Sequence, residues 1–533
     1  MSLQVFNLNY ILPNKDILFS DISFSVPAGT KAAIVGNNGV GKSTLLHIIA
    51  GKTPAASGEV SCYRAYLVPQ HLGQYDDMTV ADALQITGKY QALKAILAGD
   101  ASMENFSLLD DDWTLEERVM ASFGKWGISH IKLESSFATL SGGEKTKVFL
   151  AGIDIHTPSV ILMDEPTNHL DMESREMLYD YLCSSNDTIL VVSHDRALLN
   201  KLNHILHMTR SGVKYYPMCY DDFEHLYEQE CENRMNELDF KQRELAKTKR
   251  VARTITERQQ KHAERGAKLS DSKCLARISK GNLKSKSEAS SARIGKVHED
   301  KVRSLRQDIT ELRSIIPDES QMKVDLSSSN LHAGKKLVEL INVNFAYPNS
   351  TNLWSETMNL TLYSGDRVWI RGRNGQGKTT LIRIMTGALL PTTGSASMTE
   401  GLTCICLDQE YSIIDDNQTV YEQILSSGTT LPEHELKMRL HRFLFPKDTW
   451  DKRCGCLSGG EKMRLSICFL MVCDAAPDMI VVDEPTNNID IANMGILSKA
   501  LREYQGTLVV ISHDERFVGE VGIEKTINLP NRG

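Results

Sequence analysis

The 533-residue chain is 41% hydrophobic and 24% charged, ordinary for globular protein, and its length suits two domains of about 200 residues with material to spare. No run of 18 apolar residues occurs, the opening MSLQVFNLNY lacks the basic stretch and apolar core of a secretory signal, and eleven scattered cysteines fit a reducing cytoplasm better than a disulfide framework. The net charge of −8 is unevenly spread: residues 241–300 hold 17 Lys and Arg against 7 Asp and Glu, which points a basic limb at a polyanion.

The first half, residues 1–216, opens on a β-like segment, VFNLNYILPN, that ends near Tyr10. Tyr10 is placed either to stack on adenine or to pack in the core. The apolar strand KAAIV then runs into Gly36, Asn37, Asn38, Gly39, Val40, Gly41, Lys42, Ser43 and Thr44. This G-x-x-x-x-G-K-[ST] pattern lies between a strand and a helix, the context its chemistry needs. The glycines let backbone N–H groups face phosphate oxygens, and the helix adds its positive end. Lys42 can neutralise the β- and γ-phosphates, and the Ser43 hydroxyl can bind Mg²⁺.

YLVPQ follows, with the Gln70 amide positioned for Mg²⁺ or the attacking water. Ser141, Gly142, Gly143 and Glu144 then open a helix. No phosphate lies near them in their own half, so they are expected to close over a nucleotide held by the other half. The buried strand VILMD ends at Asp164, a Mg²⁺ ligand, and Glu165 comes next. Strand alternation would turn Glu165 to the other side, toward the attacking water, as general base. TILVVSHD ends at His194, which can hydrogen-bond the γ-phosphate.

Residues 217–335 join the halves. Tyr227, Cys231, Met235, Leu238 and Leu245 are spaced by three, four and seven, and Val302, Leu305, Ile309, Leu312 and Ile316 alternate steps of three and four before Pro317. Two such helices, over about 218–262 and 292–316, predict an antiparallel coiled-coil hairpin with a basic loop at about 265–290. A solvated linker is the plainer alternative.

The second half, residues 336–533, repeats the first in register. Tyr347 ends its opening strand. Gly372, Arg373, Asn374, Gly375, Gln376, Gly377, Lys378, Thr379 and Thr380 form its Gly-rich loop. Gln409, Ser458, Gly459, Gly460, Glu461, Asp483, Glu484 and His513 follow in the same order, so Thr379, Gln409 and Asp483 are the matching Mg²⁺ candidates. From Gln70 to Ser141 is 71 residues and from Gln409 to Ser458 is 49. The first half therefore carries an insertion, placed near 95–115 as a surface loop or a small projecting arm. The pairs Cys404/Cys406 and Cys454/Cys456 lack zinc spacing and are expected to be packing residues.

Walker loop, Q-loop Gln, LSGGE signature, Asp-Glu strand end and switch His, twice in this order, resemble the ATP-binding cassette ATPases. The resemblance implies an α/β fold with two tandem P-loop cassettes, joined here by the helical hairpin, and head-to-tail closure around ATP and Mg²⁺. One site would combine residues 36–44, Asp164 and Glu165 with 458–461. The other would combine 372–380, Asp483 and Glu484 with 141–144. Asp171 and Asp490 are similar to that family's D-loop residues.

Two fused cassettes with a basic linker and no membrane domain resemble the ABC-F subfamily. That likeness implies a cytoplasmic, monomeric ATPase whose linker meets 23S rRNA and P-site tRNA near the peptidyl-transferase centre, as a translation factor or an antibiotic ribosome-protection protein. Other readings are the ATPase subunit of a transporter with separate membrane chains and a DNA-repair ATPase. The first gives a basic hairpin no role. In the second, the coiled coil usually interrupts a single ATPase rather than joining two.

Overall fold

The computed structural model describes residues 3–100, 102–272, 300–313, 332, 334–348, 351–408, 411–473, 476–486 and 489–530. It divides into two compact units, residues 1–221 with 322–533, and residues 222–321.

In the first half, strands β1 (Leu3–Ile11), β2 (Ile17–Val26) and β4 (Ser57–Ser61) form an antiparallel sheet in the order β2-β1-β4. Strands β3 (Lys31–Val35), β5 (Ala65–Val68), β6 (Val160–Asp164), β7 (Thr188–Val192), β8 (Ile205–Thr209) and β9 (Gly212–Tyr216) form the second sheet, ordered β5-β6-β7-β3-β8-β9. All but β9 are parallel. Every residue of β6 and β7 is buried, which is why VILMD and TILVV read as unbroken apolar runs rather than alternating ones.

The second half repeats this plan. Strands β10 (Lys336–Asn344), β11 (Met358–Tyr363) and β13 (Thr393–Met398) pair antiparallel as β11-β10-β13. Strands β12 (Arg367–Arg371), β14 (Cys404–Leu407), β15 (Met479–Asp483), β16 (Thr507–Ile511) and β17 (Lys525–Asn528) make a parallel sheet ordered β14-β15-β16-β12-β17. Cys404 and Cys406 are thus strand residues. Among the described residues, no cluster of three or more His, Cys, Asp or Glu could hold a metal ion.

The strand order positions the chemistry. β3, β7 and β6 are consecutive neighbours, as are β12, β16 and β15, so their carboxyl ends lie side by side. Parallel sheets offer their ligand crevice at those ends. The Gly-rich loop, the switch His and the Asp-Glu pair each leave one of these three strands.

Around residues 95–115, where the extra residues of the first half are expected, the chain forms helices Thr87–Leu97, Met103–Leu109 and Leu115–Lys125. Ala92, Leu93 and Leu109 bury against one another, and Asp112 pairs with Lys89 (3.4 Å) and Arg118 (2.8 Å).

In the unit 222–321, helix Tyr220–Ser272 runs alongside a second helix at 300–313. Leu238 and Ile309 bury together with Met235, Leu245 and Leu312 around them. Lys241 pairs with Asp308 at 2.9 Å and Lys301 with Glu244 at 2.9 Å, so the helices run antiparallel. The first helix continues to Ser272, past the loop start expected at 265. Its Gly266 is isolated among helix-favouring residues, and one glycine costs only about 1 kcal/mol. The rest of the expected loop, with Ile316 and Pro317, lies outside the described residues.

Leu162, in the middle of β6, is fully buried. Leu162→Ala should lower unfolding free energy by about 2–5 kcal/mol, read as a lower urea midpoint.

Candidate ATP sites where the two halves meet

Each Gly-rich loop leaves a central strand and enters a helix, Lys42–Ile49 or Lys378–Met385, capped by a glycine in left-handed conformation. Gly41 has φ 97° and Gly377 φ 92°. A Cβ on Gly41 would lie 2.8 Å from Phe19, and one on Gly377 2.5 Å from Leu353. Conformation and space therefore both demand glycine here. The Lys42 Nζ lies inside its loop, donating to the carbonyls of Gly36 (2.6 Å) and Asn37 (3.2 Å). Lys378 Nζ donates to the Gly372 carbonyl at 3.2 Å.

Not every loop side chain is available to a nucleotide. Val40 packs into the apolar core of the first half. The Gln376 side chain is turned inward: its Oε1 accepts from the Arg373 N–H at 2.6 Å and its Nε2 donates to the Pro530 carbonyl at 2.9 Å. Gln376 braces the second loop and leaves its backbone to meet phosphate. Trp354, fully buried, adds a second brace from its indole N–H to the Gln376 carbonyl, 2.9 Å. The Thr380 hydroxyl bonds the Tyr347 hydroxyl at 2.8 Å. Tyr347 is half exposed, whereas Tyr10 leans on Phe19. Thr44 follows Ser43 in the first helix; Gly39 and Gly375 have open space about them.

The Ser43 hydroxyl donates to Asp164 Oδ1 at 3.1 Å, and the Thr379 hydroxyl to Asp483 Oδ2 at 3.3 Å. A hydroxyl beside a carboxylate at a phosphate cradle fits Mg²⁺, which takes few protein oxygens and completes its shell with phosphates and water. Burial raises the Asp164 carboxyl, and burial followed by the Glu484 charge pushes Asp483 up to about 6. A cation beside them would favour the ionised form of both. Gln70 is half-buried just beyond β5; Gln409 lies outside the described residues.

Glu165 and Glu484 sit one residue past β6 and β15, with φ of 48° and 49°. Strand alternation is therefore not what separates them from the preceding aspartates. A left-handed turn does so, strained for a non-glycine residue and identical in both halves. Their N–H groups bond the Val192 and Ile511 carbonyls at 2.8 and 2.9 Å, tying each turn to the strand carrying the switch His.

Burial pushes the Glu165 carboxyl up to about 8 despite the nearby Lys42 ammonium. Its Oε2 accepts from the His194 N–H at 3.2 Å. Glu484 Oε1 lies 3.1 Å from both Lys378 Nζ and His513 Nε2. Glu165 Oε1 and Glu484 Oε2 are buried and accept no hydrogen bond from the described residues, so each glutamate keeps an oxygen able to orient a water or take its proton.

The switch histidines reach their own loops. His194 Nε2 is 3.2 Å from Asn38 Oδ1, and His513 Nε2 is 3.3 Å from Asn374 Oδ1. Burial holds His194 well below its ordinary pKa and lowers His513 to about 4, so both are neutral near pH 7. Both asparagines belong to the loops that the motif assigns to ATP, and their contact with the switch His is what motif reading did not foresee. Their identical place in both loops was the available signal.

Ser141 and Ser458 each cap a helix, Gly142–His156 and Gly459–Val472, in a reciprocal box with Glu144 and Glu461. Glu144 Oε2 accepts from the Ser141 N–H at 2.8 Å and Glu461 Oε2 from the Ser458 N–H at 2.7 Å. These carboxylates fix the helix starts.

The first signature meets the opposite loop. A Cβ on Gly143 would stand 2.9 Å from the His169 carbonyl and 3.8 Å from Asn374 Nδ2, which itself donates to that carbonyl at 2.7 Å. In the other site the contact comes from Asp490, whose Oδ2 accepts from the Asn38 N–H at 3.2 Å. Gly460 packs on Asn493 of its own half. Asp171 and Asp490 also cap the helices that follow them. Arg373 reaches across to Glu173 at 3.0 Å.

A family model described as ABC transporter matches residues 19–168 and 355–487. The chain belongs to the ATP-binding cassette family. Its relatives match along nearly the whole chain. "ABC transporter F family member 5" of Arabidopsis thaliana is 27% identical, over 95% of this chain and 72% of that protein. "Energy-dependent translational throttle protein EttA" of Haemophilus influenzae is 29% identical, over 96% and 89%. An archaeal ribosome recycling factor, aABCE1, solved in complex with the stalk protein aP1, superposes with a TM-score of 0.58 at 19% identity, covering 98% of this chain and 87% of that one. That likeness is one of fold. As a cassette ATPase the chain binds and hydrolyses ATP. No helix among the described residues is long and apolar enough to cross a membrane.

Glu165 supplies a pH test. With its native pKa raised from 4.5 to about 8, the folded state keeps a proton that the unfolded chain loses, so this group's contribution to stability falls as pH rises through that window. Lowered His513 acts with the opposite sign at lower pH, and comparison with a single variant separates the two. The thermal midpoint of Glu165→Gln should fall less than that of the wild type between about pH 5 and about pH 8. Parallel curves would contradict the assignment.

Proposed function

We propose that this ATPase works on the ribosome. Closure of two cassettes, residues 1–216 and 336–533, around two MgATP moves the basic segment 217–335 against 23S rRNA and P-site tRNA near the peptidyl-transferase centre. Hydrolysis reopens the cassettes for release. The observation that carries this reading is the long helix Tyr220–Ser272, placed between two complete sets of ATP-site residues and entering the stretch with 17 basic against 7 acidic residues. A transporter ATPase has no use for such an element. The similarity to a protein named as a translational throttle, over almost the full chain, supports the same direction.

In this reading Lys42 and Lys378 hold the β- and γ-phosphates. Ser43 with Asp164, and Thr379 with Asp483, hold Mg²⁺, assisted by Gln70 and Gln409. Bound there, the ion neutralises charge developing on the phosphate oxygens. Glu165 and Glu484 take the proton of the attacking water, and neutral His194 and His513 touch the γ-phosphate. Ser141 with Gly142 and Gly143, and Ser458 with Gly459 and Gly460, close over the nucleotide from the opposite half, with Asp171 and Asp490 beside them. Tyr10 and Tyr347 are the adenine platforms. The protein acts as a translation factor or protects the ribosome from antibiotics; drug-challenged translation in its presence separates these roles.

The Glu165→Gln/Glu484→Gln double variant should bind ATP without turnover and sediment with 70S ribosomes in ATP but not without nucleotide. Protein that stays in the supernatant under both conditions would overturn the proposal. Ribosome binding by that variant should also weaken steadily as salt rises, because basic side chains displace counterions from phosphates; a flat response would remove the basic segment as the contact.

A further inference from the structure

The two Gly-rich loops differ at an inward-facing position. Val40 stands in the first where Gln376 stands in the second. Val40 packs in an apolar core that also contains Met208 of β8. β8 goes on to pair with β9, Met208 opposite Val213 and Thr209 opposite Gly212. The strand beside the first loop is therefore backed by a hairpin partner.

β17 occupies the place of β8 in the second half. Asn528 pairs with Arg371 as His207 pairs with Val35, so Leu529 and Pro530 match Met208 and Thr209. Among the described residues β17 is the edge of its sheet, with no strand in the place of β9. An edge leaves carbonyls in need of donors. The Gln376 amide supplies them: its Nε2 donates to the Pro530 carbonyl at 2.9 Å and is 3.3 Å from that of Leu529, while its Oε1 accepts from the Arg373 N–H at 2.6 Å. Gln376 and Leu529 are both buried, and the Leu529 N–H returns to the Arg371 carbonyl at 2.9 Å. A Cβ on Gly372 would stand 2.9 Å from Gln376 Oε1 and 3.1 Å from Leu529 Cδ1, so loop, amide and strand end are in contact. Trp354 repeats the pattern. Its indole N–H donates to the Gln376 carbonyl at 2.9 Å, whereas the ring against Gly41 in the first half is Phe19, which has no N–H to give.

We propose that Gln376 is a positioning residue for nucleotide at one site only. Its amide clasps the second loop to the exit of β17 and replaces the hairpin that backs the first, so nucleotide affinity at residues 372–380 depends on a side chain for which 36–44 has only the apolar Val40. Gly375 and Gly377 leave the loop conformationally free. A cradle with the right shape for only part of the time binds more weakly in that proportion.

The inference rests on the two loops as the nucleotide sites, and the test checks that first. MgADP, which is not hydrolysed, is titrated by equilibrium dialysis. The unaltered chain should bind two, and Lys42→Ala or Lys378→Ala one. In Lys42→Ala, which keeps loop 372–380, adding Gln376→Met should raise Kd by about tenfold, because an isosteric apolar side chain can neither accept from Arg373 nor donate to Pro530. In Lys378→Ala, which keeps loop 36–44, the same change should alter Kd by less than about twofold. Amide hydrogen exchange separates a loosened loop from a damaged fold: exchange in 372–378 should quicken in Gln376→Met and slow again with saturating MgADP, while exchange in the buried strand Met479–Asp483 stays unchanged. If Gln376→Met does not fold, Gln376→Asn reads the same split, since its shorter amide cannot reach both partners. Equal weakening in both parents, no weakening in folded protein, or quickened exchange in 479–483 would overturn the role of Gln376. Two MgADP still bound by Lys42→Ala or by Lys378→Ala would instead overturn the assignment of that loop.

Discussion

Each phosphate cradle in this protein is finished by the other half of the chain. The Asn38 N–H is taken by Asp490, the Asn374 amide by the His169 carbonyl, and Arg373 by Glu173. A Gly-rich loop presents its N–H groups usefully only if its tip is held, because glycine adds conformational freedom that must be removed on binding. Here that freedom is removed by contacts across the interface. On the proposed reading, nucleotide binding and the closing of the halves are one event, and the segment joining the halves is subject to it.

The second consequence is electrostatic. Asp164, Glu165, Asp483 and Glu484 crowd the ends of two buried strands, and burial lifts the Asp164, Glu165 and Asp483 carboxyls above the ordinary range. Such a cluster is poorly solvated until cations arrive, so MgATP is stabilised there by relieving the site as well as by filling it. The left-handed backbone at Glu165 and Glu484 places conformational strain at the residues proposed to face the attacking water, and the hydrogen bonds of their N–H groups to the Val192 and Ile511 carbonyls maintain it.

Much of this was legible in the sequence because the motifs repeat. Two Gly-rich loops after apolar strands placed β3 and β12, and the runs VILMD and MIVVD placed the Asp-Glu pairs at buried parallel strand ends. The family match over 19–168 and 355–487 agrees with that reading. What was not legible depends on three-dimensional neighbours. Strand alternation gave no hint of the positive φ at Glu165. Gln376 looked like a phosphate-loop residue, yet its amide is spent on Pro530, 154 positions away. In the segment 217–335, heptad spacing indicated paired helices but not where the first one ends, because a lone glycine among helix formers does not stop it.

The head-to-tail arrangement is the claim on which the rest stands, and vanadate photocleavage tests it most directly. Protein trapped with MgADP and vanadate is irradiated and its fragments are mapped by mass. In Lys378→Ala, cleavage within residues 141–144 should disappear while cleavage within 458–461 persists, because vanadate held by one loop touches the signature of the opposite half. Loss of cleavage at 458–461 with retention at 141–144 would show that each half completes its own site, and would contradict the account.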